Sequence, residues 1–332
     1  MSESLPFGLS HVDSALADAL RTGLDDVEVA LHKAVASDYP FVDETASHLV
    51  NAGGKRFRPL LALVASQYGD PAATGVVPAA VVVELTHLAT LYHDDVMDEA
   101  PLRRGAPSAN ARWDNTVAIL TGDFLFARAA DIASDLGTEI VRLQARTFER
   151  LCTGQIRETV GPAEGEDAVV HHLDVLAGKT GSLIALAGRM GAMTSGAPAE
   201  VANAVASYGE KFGVAFQLSD DLLDIASESE ASGKTPGTDL REGVRTLPVL
   251  LALRRTDPTE ARLRELLAGP LTDDSLHAEA LGLLRTSPAM AEAREVLLEW
   301  AESARTELAA LPAGDATDAL SMMCDVVVDR SV

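Results

Sequence analysis

Lysine is nearly absent from this chain, whose 332 residues include 22 arginines but only five lysines. Cysteine is scarce as well, since only Cys152 and Cys324 are present and neither belongs to a CxxC or Cys/His pattern. A disulfide framework and a zinc site are therefore not supported, and a reducing compartment is expected. Strand-like alternation of apolar and polar residues is almost missing, which disfavours a β fold.

Basic residues as a whole are far fewer than acidic ones. Fifty acidic residues against 27 basic ones give a formal net charge of −23. This charge repels nucleic-acid phosphates and anionic membrane surfaces, so neither is expected as a main partner. An anionic substrate would have to be held by locally basic segments. The N-terminus lacks the pattern of a secretory signal, and we expect a cytoplasmic protein with no stable membrane anchor.

The few lysines lie in unusual places. Lys55, Lys179 and Lys234 belong to the glycine-containing segments GGKRFRP, GKTGS and SGKTPG. Where arginine is the default cation, a retained lysine indicates a site that needs a compact point charge. Compositional drift that leaves solvated lysines is the simpler interpretation of any one of them.

Helical periodicity dominates the rest of the sequence. It predicts helices near 11–35, 41–51, 57–69, 77–99, 108–135, 137–159, 167–178, 181–195, 198–228, 244–255, 258–267, 273–285, 287–310 and 315–330. Glycine and proline breakers separate these segments, and no linker divides the chain. We therefore expect one all-α domain, a helical bundle over residues 1–332, with a motif-bearing core at about 45–250 and C-terminal helices at about 255–330.

Two aspartate clusters of the same form, DDVMD and DDLLD, lie 126 residues apart, each at the end of a long apolar run. They comprise Asp94, Asp95 and Asp98, and Asp220, Asp221 and Asp224. On a helix the first and last carboxylates of such a cluster are i and i+4 neighbours that point the same way. Their repulsion costs roughly 0.2 to 0.5 kcal/mol in an isolated helix, so a cationic partner is expected. Hard oxygen ligands suit Mg²⁺.

Two basic segments could hold an anion beside these clusters. GGKRFRP is a flexible turn followed by Lys55, Arg56 and Arg58, just ahead of a predicted helix. Its glycines let the backbone approach an anion, and the helix N-terminus adds its dipole. Arg103 and Arg104 follow the first cluster closely enough to fold back over a bound anion. A surface salt-bridge network would explain that pair as well.

Further polar side chains lie at helical spacing from the clusters. His87 precedes Asp94 by seven residues, Gln217 precedes Asp220 by three, and Lys179-Thr180 opens another predicted helix. Each has an ordinary explanation as a capping or core residue. Glu84 and His87 also form an ExxH pair, but a di-iron bundle would need a second such pair, and the sequence has none.

Taken in order, GGKRFRP, HLATLYHDDVMDEAPLRRG, GKTGSL, FQLSDDLLDI and GKTPGTDLREGVRTLP resemble the motifs of the trans-isoprenyl diphosphate synthases, or polyprenyl synthetases. The ordered set is highly specific and covers roughly positions 45 to 250. The resemblance implies a single all-α domain around a central catalytic cavity, usually dimeric, with the two clusters facing each other across its mouth. It also implies head-to-tail condensation of isopentenyl diphosphate with an allylic diphosphate, with about three Mg²⁺ ions bound beside the substrate.

The resemblance also assigns roles to individual residues. Metal binding falls to Asp94, Asp95, Asp98, Asp220, Asp221 and Asp224. Isopentenyl diphosphate would be held by Lys55, Arg58, His87 and Arg104, with Arg56 nearby. The allylic diphosphate and the developing cation would be held by Arg103, Lys179, Thr180, Gln217 and Lys234. The catalytic set is Asp94, Asp98, Lys179, Gln217 and Asp220. One departure is Val244, which stands where many members carry a lysine.

Product length is predicted from the residues ahead of the first cluster. Short-chain members of the family carry aromatic residues about one turn upstream of the first aspartate, whereas this chain has Ala89 and Thr90, with Thr86 one turn further up. We therefore expect an open tunnel and an all-trans product of heptaprenyl to decaprenyl length. A geranylgeranyl or farnesyl product is the alternative, because Phe124 or Phe126 on a facing helix would close the tunnel.

Four other functions fit the sequence less well. A class I terpene cyclase usually has an Asn/Ser/Glu triad as its second metal site, whereas this chain has DDLLD and an intact GGKRFRP segment. A head-to-head synthase is disfavoured likewise. A non-catalytic subunit of a heteromeric synthase would have lost acidic or basic site residues. A metal phosphohydrolase built on His93-Asp94 would need further histidines in order, which the chain does not supply.

Overall fold

The protein is helical throughout the part described by a computed structural model, which covers Leu5, Leu9 and residues 12–227 and 236–330. Within these residues the only sheet is one two-stranded antiparallel hairpin. The predicted all-α class is therefore confirmed. Lys234, expected to contact the allylic diphosphate, lies outside the described residues.

The helices follow one another with short connections. They are α1 (Ser14–Val35), α2 (Pro40–Asn51), α3 (Phe57–Ser66), α4 (Val76–Met97), α5 (Ala109–Arg112), α6 (Asn115–Asp135), α7 (Thr138–Val160), α8 (Ala168–Leu176), α9 (Ser182–Thr194), α10 (Ala199–Ala226), α11 (Thr238–Glu242), α12 (Leu247–Arg254), α13 (Ala261–Leu266), α14 (Asp274–Thr286), α15 (Pro288–Glu307) and α16 (Asp315–Asp329). A π-helix (Ala177–Gly181) joins α8 to α9, and 3₁₀ turns span Pro258–Glu260 and Leu308–Ala310. Strands β1 (Leu102–Arg103) and β2 (Ala106–Pro107) follow α4.

Most predicted helix ends are shifted by one to three residues, and two larger differences are found. The expected helix over 108–135 is interrupted after α5, because Asp114 leaves helical geometry and its carboxylate accepts a 2.8 Å hydrogen bond from the Val117 N–H. Such an N-cap is worth about 1 kcal/mol to the helix it begins. The short helix α11 was not predicted, and it lies between Gly237 and Gly243, which are both left-handed.

The chain divides into two compact units. The first comprises Met1–Glu149, Leu183–Gly209 and Glu307–Met322, and the second comprises Arg150–Ser182, Glu210–Thr306 and Met323–Val332. GGKRFRP, the first aspartate cluster and the hairpin belong to the first unit. The GKTGS segment and the second cluster belong to the second unit. A single domain over the whole chain stays a prediction.

Helix α4 forms the centre of the first unit. It contacts α1, α3 and α6, and apolar side chains on several of its faces are buried, including Val82, Leu85 and Leu88. A helix that is apolar on nearly all sides belongs inside a protein or a membrane. Its length and mean hydropathy of 1.3 would suit a membrane span, but 67% of that stretch is buried inside the folded chain. Its last turn carries the first aspartate cluster.

The π-helix is the distinctive element of the second unit. A side chain at Gly154 on α7 would place its Cβ 2.9 Å from the backbone nitrogen of Lys179, and one at Gly181 would approach the Glu210 carbonyl of α10 to 2.8 Å. The two glycines therefore let the backbones of α7, the π-helix and α10 pack closely. π-Helices are rare in proteins, and those that occur are mostly single turns that often lie at functional sites.

Candidate active site

Backbone strain in the described chain is concentrated at the predicted anion-binding segments. Three described non-glycine residues have positive φ: Arg56 at 46°, Glu99 at 48° and Arg104 at 54°. Arg56 lies directly before α3, and the other two flank β1. Left-handed conformations of such residues are uncommon and cluster at functional sites.

The hairpin after α4 directs two arginines to different partners. Its turn consists of Arg104 and Gly105, both with positive φ, as a tight hairpin turn of this kind requires. Arg103 donates from Nε to the Asp95 carboxylate at 2.6 Å. Arg104 folds back toward GGKRFRP and donates from Nη1 to the carbonyl of Leu49 at 3.1 Å and to that of Gly53.

The guanidinium of Arg104 packs directly against the backbone of Gly54. The φ of Gly54, 142°, is unfavourable for any L side chain, and an added Cβ would lie 2.8 Å from both Cζ and Nη1 of Arg104. Gly53 also has positive φ, at 81°, but a Cβ added there would meet no atom of the described residues within 4 Å. A side chain at Gly53 would therefore add backbone strain alone, whereas a side chain at Gly54 would add backbone strain and also displace Arg104.

This difference predicts the outcome of two substitutions. Gly54→Ala should weaken the binding of inorganic pyrophosphate by about tenfold more than Gly53→Ala, because both add strain of roughly 1 to 3 kcal/mol but only the first displaces Arg104. Isothermal titration calorimetry of the two purified variants measures this ratio. Equal affinities would show that the position of Arg104 does not matter for anion binding.

Arg58, His87 and Arg104 are half-buried, and the charges of the two arginines act on His87. Burial lowers the pKa of Arg58 to about 10, the Glu84 carboxylate opposes that shift, and the Arg104 charge adds to it. Burial and the charges of the surrounding arginines hold the pKa of His87 well below its usual value, so its imidazole is neutral at physiological pH. The buried Nε of Arg58 has no hydrogen-bond partner among the described residues. These features favour binding of an anion.

Arg56 and Lys55 differ from their neighbour Arg58. Arg56 is buried, and its guanidinium binds the carboxylates of Glu28 and Glu84. Lys55 is exposed at the surface of the turn. The three cations of the GGKRFRP motif therefore have three different surroundings.

The three aspartates of the first cluster are not equivalent. Asp95 is fully buried, and burial raises the pKa of its carboxyl while the bond from Arg103 opposes the rise. Its second oxygen, Oδ2, has no hydrogen-bond partner in the described part of the chain. Asp94 is partly exposed in the last turn of α4, and Asp98 is exposed directly after it. Asp94 and Asp98 are therefore the members that solvent reaches.

The second cluster shows a similar division. Asp220 accepts a 2.7 Å hydrogen bond from Nη2 of Arg330, and its side chain is 43% exposed. Asp221 is buried, and its Oδ2 lies 3.4 Å from Nε2 of His172. This oxygen has no hydrogen bond among the residues described. Asp224 instead accepts from the backbone N–H groups of Thr238 and Asp239 at 3.2 and 3.3 Å. Its carboxylate thus caps the start of α11.

Three other predicted residues lie near this cluster. Thr180 donates to Oε1 of Gln217 at 3.5 Å, and Gln217 in turn donates to Asp221 at 3.4 Å. Lys179 forms an ion pair with Glu158 on α7 at 2.6 Å. The structure therefore brings Thr180 and Gln217 together beside Asp221.

Two neighbours of the second cluster were not anticipated. His172 precedes Lys179 by seven residues, the spacing that drew attention to His87, and would have been found by the same rule. Arg330 is 110 residues from Asp220 in sequence, and no local pattern marks it. Its guanidinium also donates to the Phe216 carbonyl and lies 4.3 Å from the centre of the Phe216 ring.

The donor set fits a hard divalent cation that also takes ligands from a substrate. No group of three or more His, Cys, Asp or Glu side chains in the described residues forms a complete metal site alone. Each cluster nevertheless supplies carboxylate oxygens, and each contains a buried oxygen without a hydrogen bond, on Asp95 and on Asp221. Mg²⁺ is typically bound by one or two carboxylates together with substrate phosphates rather than by an all-protein cage.

The residues expected to control product length lie along α4. Thr86 and Ala89 are buried, and Thr90 is partly exposed. On α6, which packs against α4, the ring of Phe126 lies 5.7 Å from His93 and 4.2 Å from the ring of Phe148 on α7. His93 also contacts the Ile119 carbonyl at 3.0 Å, so its ring is oriented toward α6.

Comparisons with known proteins extend over most of the chain. A sequence model of the family described as polyprenyl synthetase matches residues 39–284. The chain is 51% identical to a nonaprenyl diphosphate synthase of Mycobacterium tuberculosis over 324 residues, 97% of each protein.

Solved structures give the same picture. A geranylgeranyl pyrophosphate synthase from Corynebacterium glutamicum, in complex with calcium and isoprenyl diphosphate, has a TM-score of 0.87 and 47% identity, covering 96% of this chain and 98% of that one. A decaprenyl diphosphate synthase from Rhodobacter capsulatus has a TM-score of 0.85 and 33% identity, covering 96% and 99%. The sequence and the backbone are therefore both shared over nearly the full length.

Proposed function

This chain belongs to the polyprenyl synthetase family and is a prenyltransferase, and from that premise we propose that it condenses isopentenyl diphosphate head to tail with an allylic diphosphate. The observation that carries this proposal is half-buried Arg58, whose buried Nε has no hydrogen-bond partner within the described chain. A buried polar group without a hydrogen bond is costly unless a ligand satisfies it. A diphosphate supplies the missing acceptor.

We assign the isopentenyl diphosphate to Lys55, Arg58, His87 and Arg104. Arg58 and Arg104 donate hydrogen bonds to its phosphate oxygens, and exposed Lys55 adds a mobile charge. The neutral imidazole of His87 donates one N–H without adding another charge to the arginine cluster. These residues hold the substrate with its double bond free to attack, and no protein nucleophile is required.

The allylic diphosphate is assigned to Arg103, Lys179, Thr180 and Gln217, and metal ions are assigned to Asp94 and Asp98 in the first unit and to Asp220 in the second. We propose Mg²⁺ as that metal, with about three ions per substrate-bound site. When bound, Mg²⁺ neutralises the negative charge that develops on the departing pyrophosphate. Lys179, Thr180 and Gln217 would orient the allylic group and stabilise its cation. The pyrophosphate then takes the proton released after the new carbon–carbon bond forms.

The product is proposed to be a long all-trans polyprenyl diphosphate of seven to ten isoprene units, about the range of the heptaprenyl to decaprenyl class. Support comes from the small side chain of Ala89, from the 51% identical relative named a nonaprenyl diphosphate synthase and from the decaprenyl diphosphate synthase structure. A geranylgeranyl product is the alternative, because the 47% identical structure is a geranylgeranyl pyrophosphate synthase and because Phe126 lies beside His93.

One incubation tests both activity and length. The purified protein is mixed with isopentenyl diphosphate, farnesyl or geranylgeranyl diphosphate and Mg²⁺, and the products are separated by reversed-phase chromatography. We expect elongation into the long-chain range. A product that stops at geranylgeranyl diphosphate would establish the shorter alternative. Absence of any condensation would contradict the proposed function and favour a non-catalytic subunit, and a cyclic hydrocarbon would favour a terpene cyclase.

Ala89→Phe is expected to shorten the product by one or more isoprene units. Ala89 is fully buried one turn before the first cluster, so a phenyl group there would obstruct a chain growing along α4. Chromatography of the products measures the shift, and thermal denaturation checks that the overpacked helix remains folded. An unchanged product distribution from a folded variant would show that the growing chain follows another path.

Arg330→Gln is expected to lower the Mg²⁺ concentration needed for half-maximal activity by about threefold to tenfold. The Arg330 guanidinium lies 2.7 Å from Asp220 and therefore competes with a metal for that carboxylate. Rates measured across a Mg²⁺ titration give the value, and Arg305→Gln, which removes the ion pair with Asp325 and leaves Asp220 unchanged, serves as the control. A higher Mg²⁺ requirement would mean that Arg330 organises the site instead.

We further propose a cytoplasmic homodimer. Ile119 and Leu120 on α6 are 43% and 61% exposed, which supports an apolar contact with a second copy. Sedimentation velocity measures the oligomeric state directly.

A further inference from the structure

Arg56 uses its complete set of side-chain donors inside the protein. A guanidinium has five N–H groups. Nε donates to Glu28 Oε2 at 2.8 Å, Nη1 to Glu84 Oε1 at 3.0 Å and to the Gly53 carbonyl at 3.4 Å, and Nη2 to Glu28 Oε1 at 2.9 Å and to the Val50 carbonyl at 3.0 Å. No donor remains for a diphosphate.

The surroundings of Arg56 and Arg58 are opposite, although the residues are separated by only Phe57. Arg56 is 8% exposed and is neutralised by two carboxylates, while Arg58 has a buried Nε with no hydrogen-bond partner in the described chain. A cation with two hydrogen-bonded anionic partners gains little from a further anion, whereas one without a hydrogen-bonded partner gains more. Of these two arginines, only Arg58 is available to a substrate.

The residues that bind Arg56 also contact or adjoin the residues of the proposed anion site. Val50 and Gly53 belong to the segment between α2 and α3, and the Gly53 carbonyl also accepts from Arg104. Glu84 is 2% exposed on α4, and its Oε1 lies 4.0 Å from Nη2 of Arg104. Glu28 reaches Arg56 from α1. Arg56 therefore links α1 and α4 to the GGKRFRP turn, which Arg104 also contacts.

We propose that Arg56 and Glu28 are positioning residues, which fix the GGKRFRP turn and thereby place Arg58 and Arg104 for the diphosphate of isopentenyl diphosphate. This inference rests on the proposed function, and it assigns a role to Glu28 on α1. Neither residue touches the substrate. Their effect on binding passes through the Gly53 carbonyl and through Glu84.

The two possible roles of Arg56 predict opposite effects of Glu28→Gln. If Arg56 bound the substrate, loss of the Glu28 charge would release its guanidinium and make the site more positive, so affinity would rise. If Arg56 positions the turn, loss of its bidentate partner loosens the turn and affinity falls. The direction of change therefore distinguishes contact from positioning.

The experiment is calorimetric titration of the full-length protein with isopentenyl diphosphate, without an allylic substrate, so that no turnover is needed. Glu28→Gln is expected to weaken binding about tenfold, and Arg56→Lys at least as much, since lysine keeps the charge but cannot form the five-bond fork. The double variant should be no weaker than Arg56→Lys alone, because both changes break one pair. Asp26→Asn, an exposed acid on the same helix, is the matched control and should not change affinity.

Unchanged or tighter binding by Glu28→Gln would overturn the inference, as would a lower melting temperature with unchanged affinity, which indicates a purely structural pair. In turnover assays the KM for isopentenyl diphosphate should rise while the KM for the allylic diphosphate stays constant. A wild-type protein that binds isopentenyl diphosphate but forms no product would contradict the proposed function alone, because the binding comparison would still stand.

Discussion

Asp94→Ala is expected to reduce the rate of condensation more than ~100-fold at saturating Mg²⁺, because even outer partners of metal ligands typically contribute 10- to 100-fold. Asp94 is partly exposed at the end of α4, and exposed Asp98 follows the helix directly. Asp220→Ala should have an effect of the same order. Initial rates over a Mg²⁺ titration measure the loss, and circular dichroism verifies the fold.

The control for Asp94→Ala is Asp135→Ala. Asp135 is exposed in the last turn of α6, so its removal changes the net charge equally without altering the cluster. Asp95→Ala provides a second comparison: because Asp95 is buried and accepts from Arg103, its loss should lower the melting temperature as well as the rate. Near-wild-type rates for both Asp94→Ala and Asp220→Ala would disprove the metal assignment.

The parts of the site that the sequence predicts are those set by regular helix geometry. The apolar run of α4 marks a buried helix, and 3.6-residue periodicity fixes which aspartates share a face with His87. The all-α class follows from the same periodicity and is confirmed. Breaks at Asp114 and at α11 are less predictable, because capping by a single carboxylate or by flanking left-handed glycines competes with periodicity over only a few residues.

What the sequence does not reveal is the partner of each charge. The cluster pattern treats its three aspartates alike, yet Asp95 binds Arg103 and Asp224 caps α11. Arg330 approaches Asp220 from the C-terminus, which carries no recognisable motif. A long arginine side chain can reach residues that are distant in sequence, so residue spacing along the chain does not identify its partners.

Arg58→Met is expected to abolish most isopentenyl diphosphate binding while making the ligand-free protein more stable. Arg58 is half-buried, its buried Nε has no hydrogen-bond partner in the described residues, and the Arg104 charge lowers its pKa further. Replacing such a group by an apolar side chain of similar length removes desolvation and like-charge repulsion, a gain of about 1 kcal/mol or more. Losing its charge-assisted hydrogen bonds should raise the KM for isopentenyl diphosphate about 10- to 100-fold.

Arg56→Met is the matched variant, with the same change two residues earlier and the opposite expectation for stability. It would remove the cation that pairs with the carboxylates of Glu28 and Glu84 and one of the donors to the carbonyls of Val50 and Gly53, so the melting temperature should fall. Differential scanning calorimetry of both variants, with and without the diphosphate, measures the contrast. A less stable Arg58→Met protein with an unchanged KM would mean that Arg58 supports the fold and that the diphosphate binds elsewhere.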